Sequence, residues 1–135
     1  MATLDVHVVS PEREVWAGEG EMVVAKGIEG DVGILPDHAP MLIALAVHTV
    51  RITQSGGDRR VILVDGGFLH VTPGEDSTRV DVLAEHAALP EEIDAAAAQE
   101  RVEELRRRAE AEDDAGMGAE LAKAIMRAEY GTRSR

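Results

Sequence analysis

Five histidines, His7, His38, His48, His70 and His86, are the side chains of this 135-residue chain best suited to proton transfer or metal binding near neutral pH. Their spacing supplies neither. There is no H-x-H pair, no H-E-x-x-H helix motif and no carboxylate at a ligand-like offset, so no metal site is expected. The absence of cysteine removes disulfides, thiolate ligands and a cysteine nucleophile, and fits a reducing cytosol. Ser10, Ser55 and Ser77 fall in turns and Ser134 in the tail, without the strand–turn–helix elbow that presents a nucleophile. Gly27, Gly30 and Gly33 match neither the G-x-G-x-x-G nor the P-loop spacing, and no Lys-Ser or Lys-Thr follows them. They read as turn glycines. The acid pairs Glu19 with Glu21 and Glu91 with Glu92 read as solvated surface, so no catalytic residue is expected and nothing demands an enzyme.

His38 stands apart because of its setting, Gly33-Ile34-Leu35-Pro36-Asp37-His38-Ala39-Pro40. Proline fixes φ and cannot donate to a sheet ladder, so Pro36 and Pro40 force the backbone out of any central strand. Gly33 admits backbone angles closed to other residues. A stiff, shaped loop at a sheet margin follows, placed where a partner reaches it.

Composition narrows the partner. A formal charge of −12 and a pI of about 4.7 oppose a phosphate backbone as ligand, and aromatic content of 2% leaves no stacking platform, so nucleic acid is excluded. The 44% hydrophobic content must build its core from Val, Ile, Leu, Met and Ala, because Trp16, Phe68 and Tyr130 are the only aromatics. No run approaches the roughly 18 to 20 apolar residues that cross a bilayer, and no signal segment opens the chain, so no direct membrane insertion is expected.

The elements that position these residues fall into two grammars. Through residue 88, short strands are expected: Leu4, Val6 and Val8 alternate with polar residues, and comparable runs occur at Met22 to Ala25, Met41 to Leu45, Val47 to Thr53, Val61 to Val64, Phe68 to Val71 and Thr78 to Leu83. Gly and Pro separate them, the pattern of an all-β sandwich or barrel of antiparallel strands. Residues 89–135 read as helical. Pro90, Glu91 and Glu92 suit a helix start; Ala95, Ala98, Val102, Leu105 and Ala109 form one stripe, and Met117, Leu121, Ala124, Ile125 and Ala128 a second. Asp113 and Asp114 offer an N-cap for the second helix, which completes an antiparallel hairpin. Overall the fold class is α+β, with a domain over 1–88 and another over 89–135. Alanine offers about one methyl each, near 0.8 kcal/mol per buried carbon, so the hairpin is lightly fastened. On these residues alone the chain is equally a standalone, non-catalytic β-sandwich protein-binding module with a helical tail.

Three stretches resemble the epsilon subunit of bacterial F-type ATP synthases. They are Leu4-Asp5-Val6-His7-Val8-Val9-Ser10-Pro11-Glu12, then Glu29-Gly30-Asp31-Val32-Gly33-Ile34-Leu35-Pro36-Asp37-His38-Ala39-Pro40-Met41-Leu42 with the later Gly66-Gly67-Phe68, and Ala119-Glu120-Leu121-Ala122-Lys123-Ala124-Ile125. The resemblance implies a non-catalytic component of the central stalk, peripheral to the cytoplasmic face of the bacterial membrane, that couples c-ring rotation to ATP synthesis. It implies contact with the c-ring through Glu29, Gly30 and Asp31, and with the gamma subunit through Leu35, His38, Pro40 and Met41. The hairpin is implied to restrain ATP hydrolysis at the alpha/beta catalytic head, where Arg106, Arg107, Arg108, Lys123 and Arg127 meet an acidic segment. The competing reading pairs those cations internally with Glu103, Glu104 and Glu110. Some family members bind ATP through Ile/Leu-Asp-x-x-Arg-Ala. Here Ile93, Asp94 and Ala98 match, but Ala97 replaces the arginine, so the phosphate clamp is missing and no cofactor is expected.

Overall fold

The alternation of Leu4, Val6 and Val8 forms β1 (Thr3–Val9), with every second side chain buried. There follow β2 (Glu14–Gly20), β3 (Met22–Gly27), β4 (Gly30–Ile34), β5 (Met41–Thr53), β6 (Arg59–Thr72), β7 (Ser77–Ala84), the two-residue β8 (Ala87–Ala88), and helices α1 (Ala95–Ala111) and α2 (Met117–Tyr130). The computed structural model describes residues 3–111 and 117–132; Asp113 and Asp114, expected to cap the second helix, lie outside the described residues, as does the side chain of Met117. The chain divides into two compact units, Met1–Ala87 and Ala88–Arg135. The fold class is α+β, a β-sandwich followed by two helices.

Strands join in the order β2-β1-β7-β6-β5-β3-β4, with β8 on β6. Pairing along that path is antiparallel except between β1 and β7, which are parallel, so the sheet is mixed. Burial fixes the register of this parallel pair. In the observed register Leu4, Val6 and Val8 lie beside Thr78, Val80 and Val82, and all six are buried; a slip of one residue would turn one set to solvent.

Two pairs of expected short strands are single long ones. β5 has 13 residues and β6 has 14, and they pair in one register from Met41 with Val71 to Thr53 with Arg59. Each changes its buried face midway. In β6, Ile62 and Val64 are buried before the change together with Leu63 and Asp65, so both faces are covered there, whereas after it only the odd positions Leu69 and Val71 are buried. Gly66 and Gly67, at φ of +92° and +119°, make this switch. β3 pairs with the late part of β5, and β7 with the late part of β6, so the long pair serves both layers of the sandwich. The core between them is aliphatic, with Val6, Val23, Ile52, Ile62, Leu69 and Val80 fully buried.

In the second unit Ala98, Val102 and Leu105 pack on Ala124 and Ala128, with Leu121 beside them. Ala109 is exposed, and Ile125 is exposed where the second stripe placed it inside. Met126 is buried instead. The helix also begins later than Pro90, because Pro90–Glu92 makes a 3-10 turn and Asp94 is the residue that caps α1: its Oδ1 accepts from Ala96 N at 3.0 Å and Ala97 N at 3.2 Å.

A side chain at Gly67 would meet the Leu83 carbonyl oxygen and the Ala84 backbone while holding a left-handed φ. Gly67→Ala is therefore expected to destabilise the chain by about 3 kcal/mol or more, read as a lower urea midpoint with an unchanged slope.

Candidate functional site

The proline loop is a built turn. His38 N donates to Leu35 O at 3.1 Å, Pro36 occupies the second position and Asp37 the third with φ of +67°, the signature of a type II turn. Gly33, expected to supply the unusual backbone, instead lies in β4 without a positive φ, and Asp37 takes the left-handed conformation. Asp37 N donates to the buried Thr78 hydroxyl at 2.8 Å, which fixes the turn to β7. His38 Nδ1 lies 2.8 Å from Ala39 O, so the ring is braced by its own loop.

The tip of the β3–β4 hairpin lies at the start of this same strand-to-loop connection. Gly27 pairs with Gly30 across a two-residue turn of Ile28 and Glu29, and Gly30 has φ of +139°. Glu29, Gly30 and Asp31 are all exposed there, and Lys26 stands opposite Asp31. Ile28 is 69% exposed at the tip, and its N–H donates to Ala44 O at 3.1 Å. A cleft of about 380 Å³ lies between this tip and Leu42, Ile43 and Ala44 of β5.

Leu35 and Pro40 are exposed, whereas His38 and Met41 are half-buried. Met41 shares the inward face with Leu45, and Leu42 takes the outward one at 66% exposure. Cross-strand register then places Ala44, Phe68, Leu83 and Val9 in one outward row over β5, β6, β7 and β1. Phe68 and Leu83 are 51% and 50% exposed. This apolar row escaped the sequence reading. Its signal was the misfit of Leu42, Phe68 and Leu83 to the buried phase of their strands.

In the hairpin, a cleft of about 320 Å³ is lined by Ile93, Asp94, Ala97 and Ala98 together with Arg101 and Arg127, and by the carboxylate-bearing Glu92 and Glu120. The degenerate motif thus converges on one place, and Arg101 joins it unforeseen. Arg106 lies instead on a groove with Val102 and Ile125. Arg106, Arg107 and Arg108 are consecutive on α1, hence fanned about 100° apart rather than gathered. Arg108 Nη1 lies 3.8 Å from Glu104, and Lys123 Nζ 3.7 Å from Glu120, while Arg106 and Arg107 make no ion pair among the described residues. No group of three metal-ligating side chains occurs among the described residues, and no described helix is long and apolar enough to cross a membrane.

A β-sandwich presenting a braced loop and a hairpin tip, followed by two helices, defines a two-part α+β chain. The family model for the ATP synthase delta/epsilon chain β-sandwich domain matches residues 3–90. The ATP synthase epsilon chain of Thermobifida fusca is 46% identical over 125 residues, covering 90% of this chain and 86% of the relative. That of Alkalilimnicola ehrlichii is 43% identical over 129 residues, covering 93% and 89%. A chain in the Euglena gracilis mitochondrial ATP synthase OSCP/F1/c-ring structure superposes with a TM-score of 0.77 at 23% identity, covering 96% of this chain and 80% of that one, which speaks for the fold. The chain belongs to the bacterial ATP synthase epsilon-chain family.

Thr78→Val removes the acceptor that holds Asp37 N while keeping the side chain's shape. The expected cost is about 1–2 kcal/mol, with faster amide hydrogen exchange at Asp37 and His38 than at the β1 amides.

Proposed function

We propose that this chain works as the non-catalytic rotor-stalk epsilon subunit of a proton-translocating ATP synthase, at the cytoplasmic face of the membrane. Its β unit binds the gamma subunit and the c-ring, and its hairpin restrains ATP hydrolysis. The observation that carries the reading is the braced loop and hairpin tip on one rigid β unit. Glu29, Gly30 and Asp31 form the acidic, exposed end that meets polar c-ring loops. Leu35, His38, Pro40 and Met41 form the gamma contact, and the exposed Leu42, together with the outward row through Phe68 and Leu83, extends it with apolar surface. Domain 1–88 carries assembly, and 89–135 carries regulation.

The hairpin acts through charge rather than by sensing ATP. Its cleft sets the three carboxylates of Glu92, Asp94 and Glu120 against the two guanidinium groups of Arg101 and Arg127, and Arg101 Nη1 is already 3.1 Å from Glu104. Such a lining repels a triphosphate. Arg106, Arg107, Arg108, Lys123 and Arg127 are the cations offered to the catalytic head, in contacts that salt screens.

Reconstitution with gamma, the c-ring and the catalytic head tests this. Leu35→Asp with Leu42→Asp is expected to weaken gamma binding at least tenfold while circular dichroism stays native; unchanged affinity rejects the surface. A chain ending at Ala88 is expected to assemble yet raise ATP hydrolysis severalfold, and neutralising the five cations to reproduce much of that rise. Equal hydrolysis in all three complexes rejects the brake, and millimolar-range ATP binding to the isolated chain rejects the absence of sensing.

A further inference from the structure

The end of α2 is bonded to the start of α1 by a set of contacts that the alanine packing does not require. Thr132 N donates to both Ile93 O at 2.9 Å and Pro90 O at 3.1 Å, and Thr132 Oγ1 donates to Pro90 O at 2.9 Å. In return Thr132 O accepts from Ala95 N at 3.0 Å, which gives Asp94 and Thr132 a parallel bridge. Gly131 makes the approach possible: a Cβ there would lie 2.5 Å from Arg127 O and 2.8 Å from Ile93 Cγ2.

These bonds complete a helix end. The first turn of an α-helix leaves its N–H groups without intrahelical partners. In α1, Asp94 Oδ1 takes Ala96 N and Ala97 N, but Ala95 N has its acceptor on Thr132. The cap of one helix is therefore whole only while the other is docked. The apolar seam it supplements is slight, with Leu105 and Leu121 its largest side chains.

We propose that Gly131 and Thr132 form a clasp that sets the closed-to-open balance of the helical hairpin, a conformational device additional to the buried seam. This deepens the regulatory reading of the hairpin and rests on that reading for its purpose, though not for its test. Opening the hairpin at this end breaks the bonds of Thr132 and frees Ala95 N together, so the clasp releases as a unit.

Amide hydrogen exchange on the full chain tests it. Thr132→Pro deletes the amide donor and the hydroxyl, and Gly131→Val blocks the approach sterically. Both are expected to lower protection about tenfold or more at Ala95 and equally at Val102 and Ala124, with Val6 in the β unit unchanged. Thr132→Ser, which keeps every polar atom, is expected to stay within about twofold of native. Native protection in both Thr132→Pro and Gly131→Val overturns the proposal. So does a loss confined to Ala95, which would make Thr132 a local cap and no clasp. Hydrolysis by complexes carrying the same variants bears on the brake alone: exchange that rises without a change in hydrolysis leaves the clasp standing and removes its assigned role.

Discussion

The β unit depends on one constraint: β5 and β6 must remain paired along their whole length while the buried side of each changes halfway. A strand with period-two side chains can line only one layer unless its phase is reset. Gly66 and Gly67 reset it by adopting backbone angles that side chains resist, and Leu83 O lies where a Cβ of Gly67 would stand. Once the long pair is bent, its late part accepts β7 and then β1, while the other end accepts β3 and β4. The proline loop inherits its position from this arrangement, because it joins the edge strand β4 to the beginning of β5 and is pinned by Thr78 of β7.

The two units hold themselves together by different means, and the difference has mechanical consequences. In the β unit, fully buried Val, Ile and Leu side chains from several strands meet, so bending any strand disturbs a close-packed interior. In the hairpin, three of the five buried seam residues are alanine. Each offers little apolar area, so the polar contacts at the helix ends weigh more in the balance than they would beside a leucine seam. A close-packed body resists deformation, and a seam of small side chains resists separation less.

Much of this was legible in the sequence where side-chain period and turn chemistry agree. The alternation of β1, the aliphatic runs of β3, β5, β6 and β7, and the switch to Ala, Glu and Arg after Leu89 all reflect local patterns that the fold keeps. The edge strands did not carry that signal. β2 contains Gly18 and Gly20 among Glu14 and Glu19, and β4 contains Gly30, Asp31 and Gly33, so neither alternates cleanly. Their pairing comes from neighbours distant in sequence. The division of β6 into shorter runs followed from reading Gly66 and Gly67 as a turn between strands, when they bend a strand that continues. The parallel partnership of β1 with β7 is likewise a tertiary choice, invisible until both inward faces must be buried together.

The candidate contacts show a similar limit. Residue type located the stiff loop and the turn at Gly27 and Gly30 as local structures, since Pro36 and the glycines flanking Ile28 and Glu29 act through their own backbones. Which side chains face outward is a matter of register, and there Leu42 rather than Met41 carries the exposed position. In the hairpin, the motif reading singled out Asp94 as part of a degenerate ATP motif, and in the structure its carboxylate serves the first N–H groups of α1. A helix N-terminus attracts anions because those N–H groups lack partners. Here Asp94 and Thr132 are the acceptors of those N–H groups, so the first turn of α1 is capped from within the chain.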